Sequence, residues 1–319
     1  MPRFDVTAIG EGQLRFSVPA GTRLEQARKL DVYASGTEAN VTCTLSRLGW
    51  QCGWVSALPE TPLGHRVAND YGLAGLDLSA VKWSQKHRLA TYYVEYAVPP
   101  RATQVYYDRA DTCFNHLRAG DVAWDYLLST RVLHFSGLTV ALCEGTHALI
   151  RECLQRAEEH PVKTSLDVNY RSRLWSPEAA RAALTPLIQG LDILFCSRRD
   201  AKTVFGLEGD PTTVIQQLQE LSGAASIVMS MSHEGVLGFD GATLIHEPIR
   251  EVIILDRIGA GDAMVAGVLH GYLQDDFSKG LKYGALTAAM SLSQHGDQPL
   301  TNRFELERLI ASADDDIVR

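Results

Sequence analysis

The sequence predicts an α/β fold: a mostly parallel sheet covered by helices on both faces. Short β-rich runs alternate with amphipathic helical runs over most of the 319 residues. Near the C-terminal end, an apolar run passes through a Gly-Ala-Gly-Asp turn into a helix. Two segments break the alternation and predict a small second sheet.

Strands are predicted at Val6–Gly10, Gln51–Ser56, Val132–Phe135, Thr164–Asp167, Ile193–Cys196 and Ala225–Met229. Helices are predicted at Thr37–Leu48, Leu63–Ala74, Glu144–His160, Pro177–Ile188, Thr212–Leu221, Ala260–Tyr272 and Ser278–Ser293. The stretch 12–34 has no helix period, and Leu89–Arg109 reads as two strands around a Pro-Pro turn. Together these form a β layer over the main sheet, a lid of about residues 12–35 and 89–113 on a single domain spanning 1–319.

Hydrophobic residues make up 45% and charged residues 21%, which excludes disorder, and a net charge of −8 argues against a nucleic-acid partner. The six cysteines show no C-x-x-C spacing, which argues against structural zinc and for reduced thiols in a cytoplasmic protein. No apolar run reaches the roughly 18 residues of a membrane-spanning helix.

The segment EVIILDRIGAGDAMVAGVLHGY at Glu251–Tyr272 reads as an apolar strand, a polar break, a glycine turn and a helix with apolar positions Met264, Val265, Val268, Leu269 and Tyr272. Gly259, Ala260 and Gly261 permit a tight turn whose N–H groups point out of the helix N-terminus as an anion hole. Asp262, on the same first turn, is placed to accept a proton from an attacking hydroxyl; the alternative is that it serves only as a helix-start residue. No G-x-x-x-x-G-K-[ST], G-x-G-x-x-G or G-x-S-x-G occurs, which removes P-loop, dinucleotide-binding and α/β-hydrolase readings.

These motifs, with ASGTEANVTCTLSRLGWQCGWVSALPETPLGHRV at Ala34–Val67, resemble those of the ribokinase-like (PfkB) sugar kinases, and most of all their 2-keto-3-deoxygluconate kinase branch. The resemblance covers nearly the whole chain. It implies a three-layer α/β/α sandwich, ATP and Mg²⁺ as cofactors, a monovalent cation as a further one in the family, and a homodimer formed through the lid. It makes Asp262 the catalytic base and Gly36 and Asn40 sugar-binding residues. VYYDR at Val105–Arg109 and SLDVNYRSRLWSP at Ser165–Pro177 point to the sugar-acid branch, where Tyr93, Tyr107, Arg109 and Arg171 hold the substrate. Tyr107 and Arg109 are two apart on a strand and face one side, and Asn169 and Arg171 follow a strand end, where open α/β sheets bind ligands. Asp297 matches a substrate-side aspartate of that branch.

Departures cluster on the nucleotide side. Ser197-Arg198-Arg199-Asp200 replaces an N-x-x-E segment that organises magnesium and phosphates, leaving Asp200 as a shortened carboxylate and Ser197 for the amide. Ser230-Met231-Ser232-His233-Glu234-Gly235 keeps only the last glycine of a K-x-G-x-x-G segment. Arg257 adds a cation just before the anion hole, and Ser35 replaces a glycine in the sugar-binding turn. The resulting expectation is ATP-dependent phosphorylation of the primary hydroxyl of a sugar acid such as 2-keto-3-deoxygluconate. A neutral-sugar kinase and a sugar-binding homologue without turnover stay open beside it.

Overall fold

The computed structural model describes residues 2–311. Among them run strands β1 (Phe4–Ile9), β2 (Gln13–Val18), β3 (Asp31–Ser35), β4 (Cys52–Pro59), β5 (Val81–Ser84), β6 (Ala90–Glu95), β7 (Gln104–Asp108), β8 (Thr130–Ser136), β9 (Lys163–Asp167), β10 (Ile193–Ser197), β11 (Ser226–Ser230), β12 (Val236–Phe239) and β13 (Leu244–Glu247). Nine of these form one sheet in the order β13-β12-β11-β10-β9-β8-β1-β4-β5, and β3-β2-β6-β7 form a second. The large sheet is parallel from β11 to β5, with β12 and β13 antiparallel at one edge.

Parallel strands buried on both faces need apolar side chains at successive positions, and β10 supplies them. Ile193 and Phe195 pack into one core with helices Thr37–Arg47, Pro62–Leu73, Ala260–Tyr272 and Phe277–Leu292. Leu194 and Cys196 pack into the other with Glu144–Glu158, Pro177–Leu184, Arg198–Phe205 and Pro211–Ser222. Three of these helices open on one local signal, a capping side chain followed by proline: Thr61-Pro62, Ser176-Pro177 and Asp210-Pro211, where the cap oxygen accepts from the N–H three residues on. Helices Ala260–Tyr272 and Phe277–Leu292 approach so closely that a Cβ on Gly271 would lie 2.3 Å from the Gly280 backbone.

The run opening at Glu251, expected as a strand, is irregular. Leu255 and Asp256 both donate to the Leu292 carbonyl instead of to a ladder, and Ile253 is 83% exposed. Its apolar residues Val252 and Ile254 wall a cavity rather than the core. Strands β5, β12 and β13 were not anticipated; β5 and β13 are the two edges of the large sheet and β12 lies next to one of them, and four-residue strands leave little pattern.

In the small sheet, Gln13 pairs with Ser35, Arg15 with both Tyr33 and Tyr92, and Tyr92 with Tyr107, so these residues share a face. The Arg15 side chain is fully buried, with Nη2 2.8 Å from Asp256 Oδ2 and Nη1 3.1 Å from Asp297 Oδ1. The second contact is an ion pair without hydrogen-bond alignment. Both aspartates lie in loops of the large body, so one guanidinium joins the two sheets.

Glu38, 1% exposed, accepts from the Ser136 and Thr139 hydroxyls, each 2.6 Å from Oε1. Burial raises its pKa from 4.5 to about 7, against the lowering effect of those hydroxyls. Because the folded chain holds this proton more tightly, the group's contribution to stability is full below the unfolded value. It is lost as pH rises through the folded one. Glu38→Gln keeps an oxygen for both hydroxyls, so urea unfolding between about pH 5 and 8 should show a decline in wild-type stability that the variant lacks. Identical pH profiles would place the charge elsewhere.

Candidate active site

The carboxyl ends of β9, β10 and β11, the inner face of the small sheet and the start of helix Ala260–Tyr272 converge on one cleft. It comprises three cavities of about 870, 510 and 560 Å³ that share Gly261 in their walls.

Gly259 precedes the helix with φ +87°, and a Cβ there would lie 2.0 Å from the Asp297 carbonyl oxygen, so only glycine fits. A Cβ on Gly261 would meet nothing within 4 Å, which leaves open space over the first turn. The N–H groups of Ala260 and Gly261 precede the first intrahelical bond, from Ala263 to Gly259, and add to the positive end of the helix dipole.

Asp262 sits on this turn, 8% exposed, in the wall of the 560 Å³ cavity. Asn40 donates to its Oδ2 at 2.7 Å, and the Thr37 hydroxyl donates to Oδ1. Thr37 in turn accepts from Asn169 Nδ2 at 3.2 Å. The carboxylate is therefore fixed in orientation with a lone pair left on each oxygen. Burial raises its pKa to about 6; the Thr37 and Asn40 hydrogen bonds and the nearby Arg171 charge hold it from going further. A group of that pKa is ionised at neutral pH yet basic enough to take a proton.

The same cavity is also walled by Tyr107 and Arg109 from the small-sheet segment and by Asp297 and Arg171 from loops of the large body. Glu11 accepts from Arg109 Nε at 3.0 Å and Nη2 at 2.7 Å, while Nη1 is buried without a partner. Arg171 forms no salt bridge among the described residues and donates only to the Tyr170 carbonyl, at 3.1 Å. Asp297, 3% exposed, accepts from Ser35 Oγ at 2.5 Å and Tyr92 OH at 2.9 Å and is ion-paired to Arg15, so its charge is already engaged.

Two expectations change. Tyr93 does not line the cavity: it pairs with Phe16 and Tyr106, stacks on the Phe16 ring at 5.4 Å, and occupies the other face of β6. Side chains alternate along a strand, so Tyr92 takes the inner face with Tyr107. Gly36 caps helix Thr37–Arg47 with its backbone, and a Cβ there would lie 2.5 Å from the Glu11 carbonyl oxygen. Its neighbours Ser35 and Thr37 face the cavity instead. Thr37, Tyr92 and Gln13 are cavity residues that sequence reasoning missed; the alternation of β6 could have found Tyr92.

Of the nucleotide-side residues, Ser197 and Asp200 line the 870 Å³ cavity, Gly235 the 510 Å³ cavity, and Ser230 both. Ser197 Oγ accepts from the Asp200 N–H at 3.0 Å and caps the helix Arg198–Phe205. Exposed Arg257 borders both the 510 and the 560 Å³ cavities. Asp167 and Asp200 form no salt bridge among the described residues. Burial, with the charges of Asp262 and Asp200, raises the Asp167 pKa to about 7, and burial raises that of Asp200. Carboxylates that face an open cavity suit a hard, oxygen-liganded ion such as Mg²⁺. A separate group, His87, Asp111 and His116, brings ligand atoms within 4.8 Å of one another. Its imidazoles, however, stack at 3.6 Å and 14°, so their in-plane lone pairs run side by side rather than converging.

Residues 5–303 match the family described as pfkB family carbohydrate kinase. The chain is 36% identical to a 2-dehydro-3-deoxygalactonokinase of Haloferax volcanii, covering 99% of both chains. It is 25% identical to a 2-dehydro-3-deoxygluconokinase of Thermoproteus tenax, over 96% of this chain and 94% of that one. The crystal structure of a 2-dehydro-3-deoxygluconokinase from Thermotoga maritima superposes with a TM-score of 0.91 at 26% identity, covering 97% of this chain and 98% of that one. The ribokinase-like architecture, the glycine-opened helix carrying Asp262 and a family match over almost the whole length lead to one conclusion: this chain belongs to the pfkB family of carbohydrate kinases.

Proposed function

We propose that the chain transfers the γ-phosphoryl group of ATP to the primary hydroxyl of a 2-keto-3-deoxy sugar acid, of the gluconate or galactonate type, giving the 6-phosphate. The observation that carries this reading is the cavity holding Asp262 together with four arginines, of which Arg109 has a buried unpaired N–H and Arg171 makes no salt bridge among the described residues, a pair suited to a substrate carboxylate. The names of the relatives agree with it.

In this reading the carboxylate of the substrate lies against Arg109 and Arg171 and its terminal hydroxyl against Asp262. Asp262 takes the hydroxyl proton as the oxygen bonds to the γ-phosphorus. The bond from that phosphorus to the β,γ-bridging oxygen breaks, and ADP leaves. The N–H groups of Ala260 and Gly261 stabilise the negative charge on the transferring group. The adenine occupies the cavity walled by Val252, Ile254, Ala288 and Leu292, and Arg257 meets the phosphates in place of the lysine absent at Ser230. Asp167 and Asp200 would hold Mg²⁺, which would supply positive charge to the phosphate oxygens. The small sheet acts as a lid over the sugar and as the face on which a second copy docks, since Tyr106 is 46% exposed beside Phe16 and Tyr93.

A coupled ADP-release assay over sugar acids and neutral sugars tests the substrate class; turnover of neutral sugars alone defeats the acid reading. Asp262→Asn should lower turnover by about 10²–10⁴-fold while sugar binding survives. In the wild type, kcat/KM should fall as pH drops below about 6, where the Asp262 carboxylate protonates. Near-normal turnover in the variant removes Asp262 as the base. Arg171→Ala should weaken sugar-acid binding by about 1.5–3 kcal/mol in titration calorimetry and leave neutral-sugar binding unchanged. Equal loss for both rejects carboxylate recognition by Arg171. Light scattering at micromolar concentration should give the mass of a dimer; a monomer leaves the outer face of the small sheet without the proposed partner.

A further inference from the structure

Gln13 opens strand β2 of the small sheet, 6% exposed, in the wall of the cavity that holds Asp262. Its Oε1 is buried and has no hydrogen-bond partner. An unpaired buried acceptor destabilises the empty site, so a ligand group that donates to it recovers that loss. Three other buried polar atoms in the same wall make no hydrogen bond, Asn169 Oδ1, Arg109 Nη1 and Asp297 Oδ1; the last faces Arg15 Nη1 at 3.1 Å, which leaves the first two beside Gln13 for a ligand. The set is thus one cationic donor and two neutral acceptors, a pattern that matches one carboxylate and two hydroxyls.

We propose that Gln13 accepts a hydrogen bond from the carbon-4 hydroxyl of the sugar and thereby sets selectivity between carbon-4 epimers; the assignment of carbon 4 rests on the substrate class proposed above. With the carboxylate at Arg109 and Arg171 and the carbon-6 hydroxyl at Asp262, carbon 3 carries no hydroxyl, so carbons 4 and 5 supply the only secondary ones. Asn169 donates to Thr37, which donates to Asp262, so its free oxygen lies at the reacting end and meets carbon 5. Gln13 is two residues from Glu11, the partner of Arg109, which puts it toward the carboxylate end and at carbon 4. A hydroxyl both donates and accepts, so either end of the Gln13 amide can engage it. An epimer turns that hydroxyl away and leaves the amide oxygen buried and unmet, the situation in which a polar site discriminates most strongly.

The test measures kcat/KM of the wild type and Gln13→Leu on two pairs of carbon-4 epimers: 2-keto-3-deoxygluconate with 2-keto-3-deoxygalactonate, and fructose with tagatose. The wild type should prefer one member of the pair it uses. Gln13→Leu should lose about 10- to 100-fold on that member and little on the other, so the ratio collapses toward one while the melting temperature holds. Equal loss on both epimers, or a wild type indifferent to them, overturns the role of Gln13. A wild type active only on the neutral pair overturns the sugar-acid class, and the epimer ratio of that pair then judges Gln13. If neither pair turns over, the same ratio is read from binding by calorimetry, and no binding of any of the four sugars overturns both proposals.

Discussion

The site depends on one buried charge. Arg15 reaches from β2 between Asp256 and Asp297, and all three side chains are withdrawn from water. Burial opposes its positive charge, but the two carboxylates and the neighbouring tyrosines outweigh that and raise its pKa. The Tyr33 ring lies 4.4 Å from its guanidinium carbon and completes the enclosure. Such a cluster is a weak source of net stability, because desolvation nearly cancels attraction, yet removing one partner strands the others. Its main effect is therefore to permit only one placement of the small sheet relative to the large one.

That placement reaches the chemistry directly. Asp256 accepts from the Ile258 N–H at 3.0 Å and the Gly296 N–H at 3.3 Å, so it shapes the turn that leads into the anion hole. The Asp297 backbone lies where a Cβ of Gly259 would be. The guanidinium thus holds both loops around the helix start, while Tyr92 and Ser35, which donate to Asp297, line the cavity from the small sheet. The small sheet is thereby tied to the first turn of the helix through the Asp256 and Asp297 loops.

Charge within the cleft follows a similar economy. A chain of net charge −8 buries Glu38, Asp167 and Asp262 near one another, and burial pushes each above its ordinary pKa. Glu11 and Asp297 face cations of the protein itself, whereas Asp167, Asp200 and Asp262 form no salt bridge among the described residues. The first set builds the site, and the second is left for ligand, metal and proton.

Local pattern determined a good deal. The glycine turn before Asp262, the β–α alternation and the paired strands around Pro99-Pro100 all depend on neighbours within a few residues, and each was legible in the sequence. Resemblance carried the roles of Asn40, Arg109 and Arg171, whose side chains the fold brings to one cavity. Tyr93 was misread because adjacent tyrosines fill both faces of β6, and only the register with Arg15 and Tyr107 tells which one turns inward. The run from Glu251 has the composition of a strand, but no neighbouring strand accepts its hydrogen bonds. Asp297 and Arg15 are 282 residues apart, and Gln13 looks like an ordinary strand residue. Whether a charge is spent inside the protein or kept for a ligand is decided by which distant side chain fills the space beside it, and that the packed tertiary structure alone determines.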